Sequence, residues 1–193
     1  MVAAKKKAIY QLKITLQNIR PPIWRRVQLP RDITLGQLHL IVQISMGWTN
    51  SHLHSFTIQG EDYGVATPEF AWDDMDINDE EQFKLNKIIP GEKFKFAYTY
   101  DFGDCWDHEI LVEKVLDAQP DRKYPLCIKA KRACPPEDCG GTWGYQELLE
   151  TLQDPKHPEH QERLEWLGGS FDSEAVDIDD INDVIREEFE NLA

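Results

Sequence analysis

From Phe94 to Val112 the chain alternates apolar and polar residues in two runs separated by one tight break. Phe94, Phe96, Tyr98 and Tyr100 share one side of the first run. Trp106, His108, Ile110 and Val112 share one side of the second. A repeat of two is the period of a strand with one buried face. Asp101-Phe102-Gly103-Asp104 between the runs is turn chemistry, with Gly103 available for a positive φ. The stretch is an antiparallel hairpin, and it commits the chain to a sheet.

The opening residues add to that sheet. Tyr10, Leu12, Ile14 and Leu16 alternate along a first strand. Arg20-Pro21-Pro22 breaks it, and a second strand runs from Ile23 to Leu29, closed by Pro30. In that strand Trp24 is expected to face the core, with its neighbouring arginines in water. Thr34 and Gln37 form a capping box for a helix whose stripe is Leu35, Leu38, Ile41, Val42 and Met46, and Gly47 suits its C-terminal cap. Another strand is expected at Leu53–Gln59, a long acidic loop with short pieces of structure over 61–81, and a Pro/Gly/Cys-rich loop over 123–141. The remainder is helical, ending in a stripe of Ile178, Ile181, Val184, Ile185 and Phe189. The expectation is one α+β domain over residues 1–193. It has a largely antiparallel sheet, an early strand-strand-helix unit, and C-terminal helices packed on the sheet.

With 41% hydrophobic and 29% charged residues the composition is that of a globular chain. No apolar run reaches the roughly 20 residues of a membrane span, and no apolar segment follows the N-terminal lysines, so a cytoplasmic protein without a membrane partner is expected. The net charge is −14. That sign disfavours nucleic acid, yet two basic islands interrupt it, at residues 1–33 (+7) and 122–139 (+3). Arg20, Arg25, Arg26, Lys129, Lys131 and Arg132 are their candidate nucleic-acid contacts.

Two groups of residues carry metal-ligand chemistry. Cys127, Cys134 and Cys139 lie in one loop, and zinc is the cofactor that such thiols admit, although the spacing lacks a C-x2-C pair and plain burial competes. His52, His54, Asp101, Asp104, Trp106 and His108 form a candidate pocket around the hairpin turn. His52, Asp101, Asp104 and His108 within it are the set a hydrolytic metal centre would use. The structural alternative is that the aspartates cap their own turn and His108 is a core histidine.

Several unusual motifs then occur in order: Ile19-Arg20-Pro21-Pro22-Ile23-Trp24-Arg25-Arg26, Gly47-Trp48 through Ser51-His52-Leu53-His54-Ser55-Phe56, Tyr98-Thr99-Tyr100-Asp101-Phe102-Gly103-Asp104-Cys105-Trp106-Asp107-His108, and Arg132-Ala133-Cys134-Pro135-Pro136-Glu137-Asp138-Cys139-Gly140-Gly141. Gly144-Tyr145, Asp154-Pro155 and Trp166-Leu167-Gly168-Gly169 continue them. Together they resemble the family named after the third open reading frame of an Ri plasmid, also labelled as insertion-sequence passenger TnpR proteins. The resemblance implies an α+β domain found near mobile elements, with no established reaction.

Three functions are therefore carried forward. The first is a non-enzymatic binding or accessory module, with a protein or small-molecule partner that the residues do not name. The second is a metal-dependent hydrolase or nuclease, and the third a nucleic-acid-binding protein. A module predicts motif residues that are buried and mutually satisfied. An enzyme predicts an open cleft with convergent carboxylates and imidazoles, and nucleic-acid binding predicts the six basic residues on one face.

Overall fold

The hairpin forms as its alternation requires. In the computed structural model, which describes residues 8–65 and 77–191, β6 (Lys95–Tyr100) pairs antiparallel with β7 (Trp106–Asp117). Around it stand β1 (Ala8–Leu16), β2 (Trp24–Pro30), β3 (His54–Ile58), β4 (Glu61–Gly64), β5 (Asn78–Asp79) and β8 (Leu126–Lys131). These make an eight-stranded sheet among the described residues, in the order β5-β4-β3-β6-β7-β1-β2-β8. Every pairing is antiparallel except β4 with β5. Lys5, Lys6 and Lys7 of the first basic island, and residues 66–76 of the expected acidic loop, lie outside the described residues.

One face of the sheet builds the core. Tyr10, Leu12, Ile14 and Leu16 of β1 meet Phe96, Tyr98 and Tyr100 of β6 and Trp106, Ile110 and Val112 of β7. Helix α1 (Leu35–Met46) contributes to this core through Leu35, Leu38, Ile41, Val42 and Met46. Its ends are as the sequence requires. The Thr34 hydroxyl accepts from the Gln37 N–H, the Gln37 side chain accepts from the Thr34 N–H, and Gly47 closes the helix at φ 95°. After the short α2 (Leu85–Ile88) and the sheet come α3 (Gly141–Gln153), α4 (His160–Trp166) and α5 (Ile178–Asn191), of which α5 packs on β8 and α1.

Three local expectations are corrected. Leu126–Lys131, inside the expected loop, is a strand on the edge of the sheet beside β2. Gly103 does not carry the positive φ of the hairpin turn; Asp101 (φ 56°) and Cys105 (φ 54°) do. The third correction is the parity of β2. Arg25 points inward between Ile23 and Val27 and is 1% exposed. Trp24 is only partly buried and is flanked by Lys13 and Arg26, whose charged groups lie 5.3 and 5.1 Å from its ring centroid. Ile23, Val27 and Leu29 set that parity, because turning Arg25 outward would expose all three.

The core also holds three histidines. His39 of α1 stacks on His54 with ring centroids 3.4 Å apart. His39 Nε2 lies 2.7 Å from the acceptor Asn50 Oδ1, so Nε2 carries the proton and Nδ1 accepts from the Tyr98 hydroxyl at 2.8 Å. His54 Nε2 donates to the Glu80 carboxylate at 2.7 Å. His108, 1% exposed, donates through Nδ1 to the Tyr98 carbonyl at 3.3 Å. Burial, reinforced by the neighbouring His54, lowers the His39 pKa to about 3, and burial lowers that of His108 to about 4. Both values lie below the 6.5 of an exposed histidine, so the unfolded chain takes up these protons first. Stability is at its plateau above pH 6.5 and falls as the pH drops toward the folded values. Each histidine is expected to contribute a loss of about 1.4 kcal/mol per pH unit in that window. Denaturant unfolding at pH 4.5, 5.5 and 7 checks this: His39→Gln and His108→Gln should each flatten the slope, and an unchanged slope in both contradicts the assignment.

Candidate functional site

The six residues expected around the hairpin turn do not form one pocket. Trp106 and His108 sit in the aromatic core against Trp48, whose ring centroid lies 6.0 Å from that of Trp106 and 5.4 Å from that of His108. His54 is held by His39 and Glu80. Asp104 turns its carboxylate to the Gly140 N–H at 3.2 Å. The remaining two, His52 and Asp101, do meet, and a residue outside the expected set joins them. His52 Nε2 lies 3.8 Å from Asp101 Oδ2 and 3.3 Å from Asp138 Oδ1, and the three donor atoms fall within 4.8 Å of one another.

Each member is positioned by a separate piece of backbone. Asp101 follows β6 directly, buried and in the left-handed region. Its N–H donates to the Leu53 carbonyl at 2.8 Å, its own carbonyl takes the Cys105 N–H at 2.6 Å, and its Oδ1 takes the Gly103 N–H at 2.9 Å, which leaves Oδ2 for His52. His52 sits just before β3, its ring 5.8 Å from Tyr100, with its side chain 29% exposed. Although Nε2 is close to Asp138, the approach is off the geometry of a hydrogen bond, so this buried nitrogen has no hydrogen-bond partner. Asp138 arrives from the Pro/Cys-rich loop with its carboxylate largely exposed.

That loop is fixed through the residue beside Asp138. Glu137 accepts 2.5 Å hydrogen bonds from the hydroxyls of Tyr100 and Thr49, and the Tyr100 oxygen in turn accepts from the Ser51 N–H at 3.0 Å. Burial pushes the Tyr100 hydroxyl well above the usual tyrosine range, so it stays a donor to Glu137. The Trp48 indole, stacked on Tyr100 at 4.9 Å, donates to the Pro135 carbonyl at 3.0 Å. Positive φ values gather in the same place: Asn50, Asp101, Cys105 and Asp138 are all left-handed. Such conformations cost free energy and persist where surrounding contacts dictate them.

The remaining candidates are placed as follows. Cys127, Cys134 and Cys139 do not share a point within 4.8 Å among the described residues. Burial raises all three thiols above their ordinary pKa, that of Cys139 to about 12, so they are protonated. Of the six basic residues, Arg25 is buried. Arg26 forms a two-pronged pair with Glu113 at 2.6 and 2.8 Å, and Lys131 and Arg132 share Glu174. Arg20 and Lys129 stay exposed. The six residues thus do not share one face: Arg25 lies inside, and Arg26, Lys131 and Arg132 are paired with carboxylates.

Asp138 and Glu137 belong to a quoted motif, but their role depends on a contact across the chain from Asp104, which no local spacing announces. The motif's glycines are the signal that could have found it. A Cβ on Gly141 (φ 66°) would lie 2.5 Å from the Asp104 carbonyl oxygen, and one on Gly144 would collide with the Cys139 carbonyl. The loop can lie against the hairpin turn only with glycine at 141, and it can turn into α3 past the Cys139 carbonyl only with glycine at 144.

Comparison with known proteins agrees with this architecture. Residues 8–180 match the family described as plasmid pRiA4b ORF-3-like protein. The uncharacterized protein y4hQ of Sinorhizobium fredii (strain NBRC 101917 / NGR234) is 40% identical over 179 residues, covering 92% of this chain and 91% of that protein. The crystal structure of MM3350, a protein of unknown function from Methanosarcina mazei Go1, superimposes with a TM-score of 0.80 at 36% identity, over 91% of this chain and 98% of that one. The chain belongs to the plasmid pRiA4b ORF-3-like family.

Gly141→Ala is the direct test of the loop contact. Its methyl group meets backbone, which cannot rotate aside, in a conformation strained for alanine. A loss of about 2 kcal/mol or more is expected, measured by denaturant unfolding. Gly60→Ala, also at positive φ but with nothing within 4 Å of its Cβ, should cost about 1 kcal/mol. Equal losses at the two positions would contradict the close approach.

Proposed function

We propose that this protein is a non-enzymatic binding module that holds a zinc ion on His52, Asp101 and Asp138 and offers the open side of that ion to a protein or small-molecule partner. The observation that carries the reading is the convergence of one imidazole nitrogen and two carboxylate oxygens within 4.8 Å, with the nitrogen buried and without a hydrogen-bond partner. Donors about 2.1 Å from a tetrahedral ion lie about 3.4 Å from one another. The 3.3 and 3.8 Å separations bracket that value. A mixed set of nitrogen and oxygen suits zinc, and three protein donors leave the fourth position for water or a partner's own donor atom.

The surroundings favour binding over catalysis. Of the hydrolytic set, His108 is enclosed by aromatic rings and Asp104 is engaged with the Gly140 N–H, so neither stands beside the three donors as a free general base. Phe102 and Leu53, the neighbours in sequence of Asp101 and His52, are 52% and 38% exposed. They supply apolar contact next to the ion, as a partner-binding rim does. Among the described residues no helix is long and apolar enough to cross a membrane.

Titration of the chelator-treated protein with zinc, followed by calorimetry and elemental analysis, is expected to give one ion per chain and a raised melting temperature. His52→Ala and Asp138→Asn should each weaken binding by at least about tenfold. Asp104→Asn, which can still accept from Gly140, should leave it nearly unchanged. Full zinc affinity in His52→Ala would refute the site.

A further inference from the structure

On the other side of Trp48 lies a second polar feature, which the zinc reading does not use. Arg25 is 1% exposed. Its Nε donates to the Ser45 carbonyl at 2.5 Å, and its Nη1 donates to the carbonyls of Trp24 and Lys131 at 3.1 Å. These are neutral acceptors, and among the described residues no carboxylate pairs with this guanidinium. Beside it stand the thiols of Cys134 and Cys127, which burial keeps protonated. A buried cation without a counter-charge is costly. Beside it the Ser45 hydroxyl, completely buried, has no hydrogen-bond partner.

Both residues line a cleft of about 440 Å³, within the range of small-ligand sites. Its opposite wall is the start of α5, with Asp177, Asp180 and Val184. Asp177 is occupied in capping the helix, since its Oδ1 accepts from the N–H groups of Asp179 and Asp180. The Asp180 carboxylate has no partner among the described residues, and Val184, 46% exposed, leaves an apolar surface on the same wall. Ile44, Met46 and Trp48 add apolar contact from the α1 side.

We infer that this cleft binds a small zwitterion of the α-amino-acid class. Its carboxylate is received by Arg25 and Ser45, its ammonium group by Asp180, and its apolar side chain lies against Val184 and Met46. The two charges of the wall and floor have opposite sign, which selects against ligands that carry only one. A plain anion such as phosphate would meet Arg25 but be repelled by the aspartates. A plain amine would satisfy Asp180 and leave the guanidinium unpaired.

Calorimetric titration of the full chain with leucine, with 3-methylbutylamine (leucine without its carboxylate) and with 4-methylpentanoate (leucine without its amine) tests this. Leucine is expected to bind, and each single-charge analogue to bind at least about tenfold more weakly. Asp180→Asn, on an exposed wall, should abolish the preference for leucine over 4-methylpentanoate. Arg25→Gln should abolish the preference over 3-methylbutylamine; where that buried substitution prevents folding, Asp180→Asn decides alone. No binding of leucine at millimolar concentration, or binding unchanged in Asp180→Asn, overturns the inference. So does inorganic phosphate binding as tightly as leucine, which would identify a simple anion site.

Discussion

The approach of Gly141 to the Asp104 carbonyl is the constraint on which the rim of this molecule depends. It brings a loop from one edge of the sheet onto the turn of its central hairpin, at a distance that leaves no room for a side chain. Once the two backbones touch, Glu137 can reach the Tyr100 and Thr49 hydroxyls, and Asp138 is delivered to His52. Without the contact, His52 before β3 and Asp101 after β6 would remain as a two-residue pair. The left-handed conformations of Asp101, Cys105 and Asp138 are the local cost of that arrangement.

Alternation and capping made much of the fold legible. The aromatic hairpin, the first two strands and α1 with its capping box stand where period and cap chemistry place them. The β2 strand shows how a residue-type prejudice can mislead a correct period. Ile23, Val27 and Leu29 require Arg25 to point inward, yet an arginine beside a tryptophan invites the opposite assignment. Cross-strand packing decided in favour of the three aliphatic residues, and the guanidinium found three carbonyls inside. The β8 strand was missed for a related reason. Its Leu126-Cys127-Ile128-Lys129 run carries a register shift against β2, which breaks the alternation that would have revealed it.

The candidate site was only half legible, and for a physical cause. His52 and Asp101 could be selected because they flank strands whose positions follow from local pattern. Asp138 could not, because its place depends on a tertiary contact and on three consecutive anchors: Trp48 to Pro135, Tyr100 to Glu137 and Thr49 to Glu137. The converse holds for Trp106 and His108. Their alternation announces an inward face, and an inward face in the middle of a sheet is core before it is pocket. The motifs therefore divide into buried aromatics that stiffen the sheet and a few rim residues that those aromatics hold in place.

Net charge separates the two sites in the same physical terms. In a chain of −14, a rim with Asp101, Asp104, Glu137 and Asp138 close together draws cations toward it, and a divalent ion lowers the repulsion among them. The same field opposes a polyanion, and on the outer face of β2 Arg26 is paired with Glu113 and Lys131 with Glu174. Arg25 is the exception. It sits where no carboxylate of the described chain pairs with it, while the free Asp180 carboxylate stands across a cleft from it. A ligand that bridges this gap must bring a negative group to the guanidinium and a positive one to the far wall. A single ion can supply only one of these.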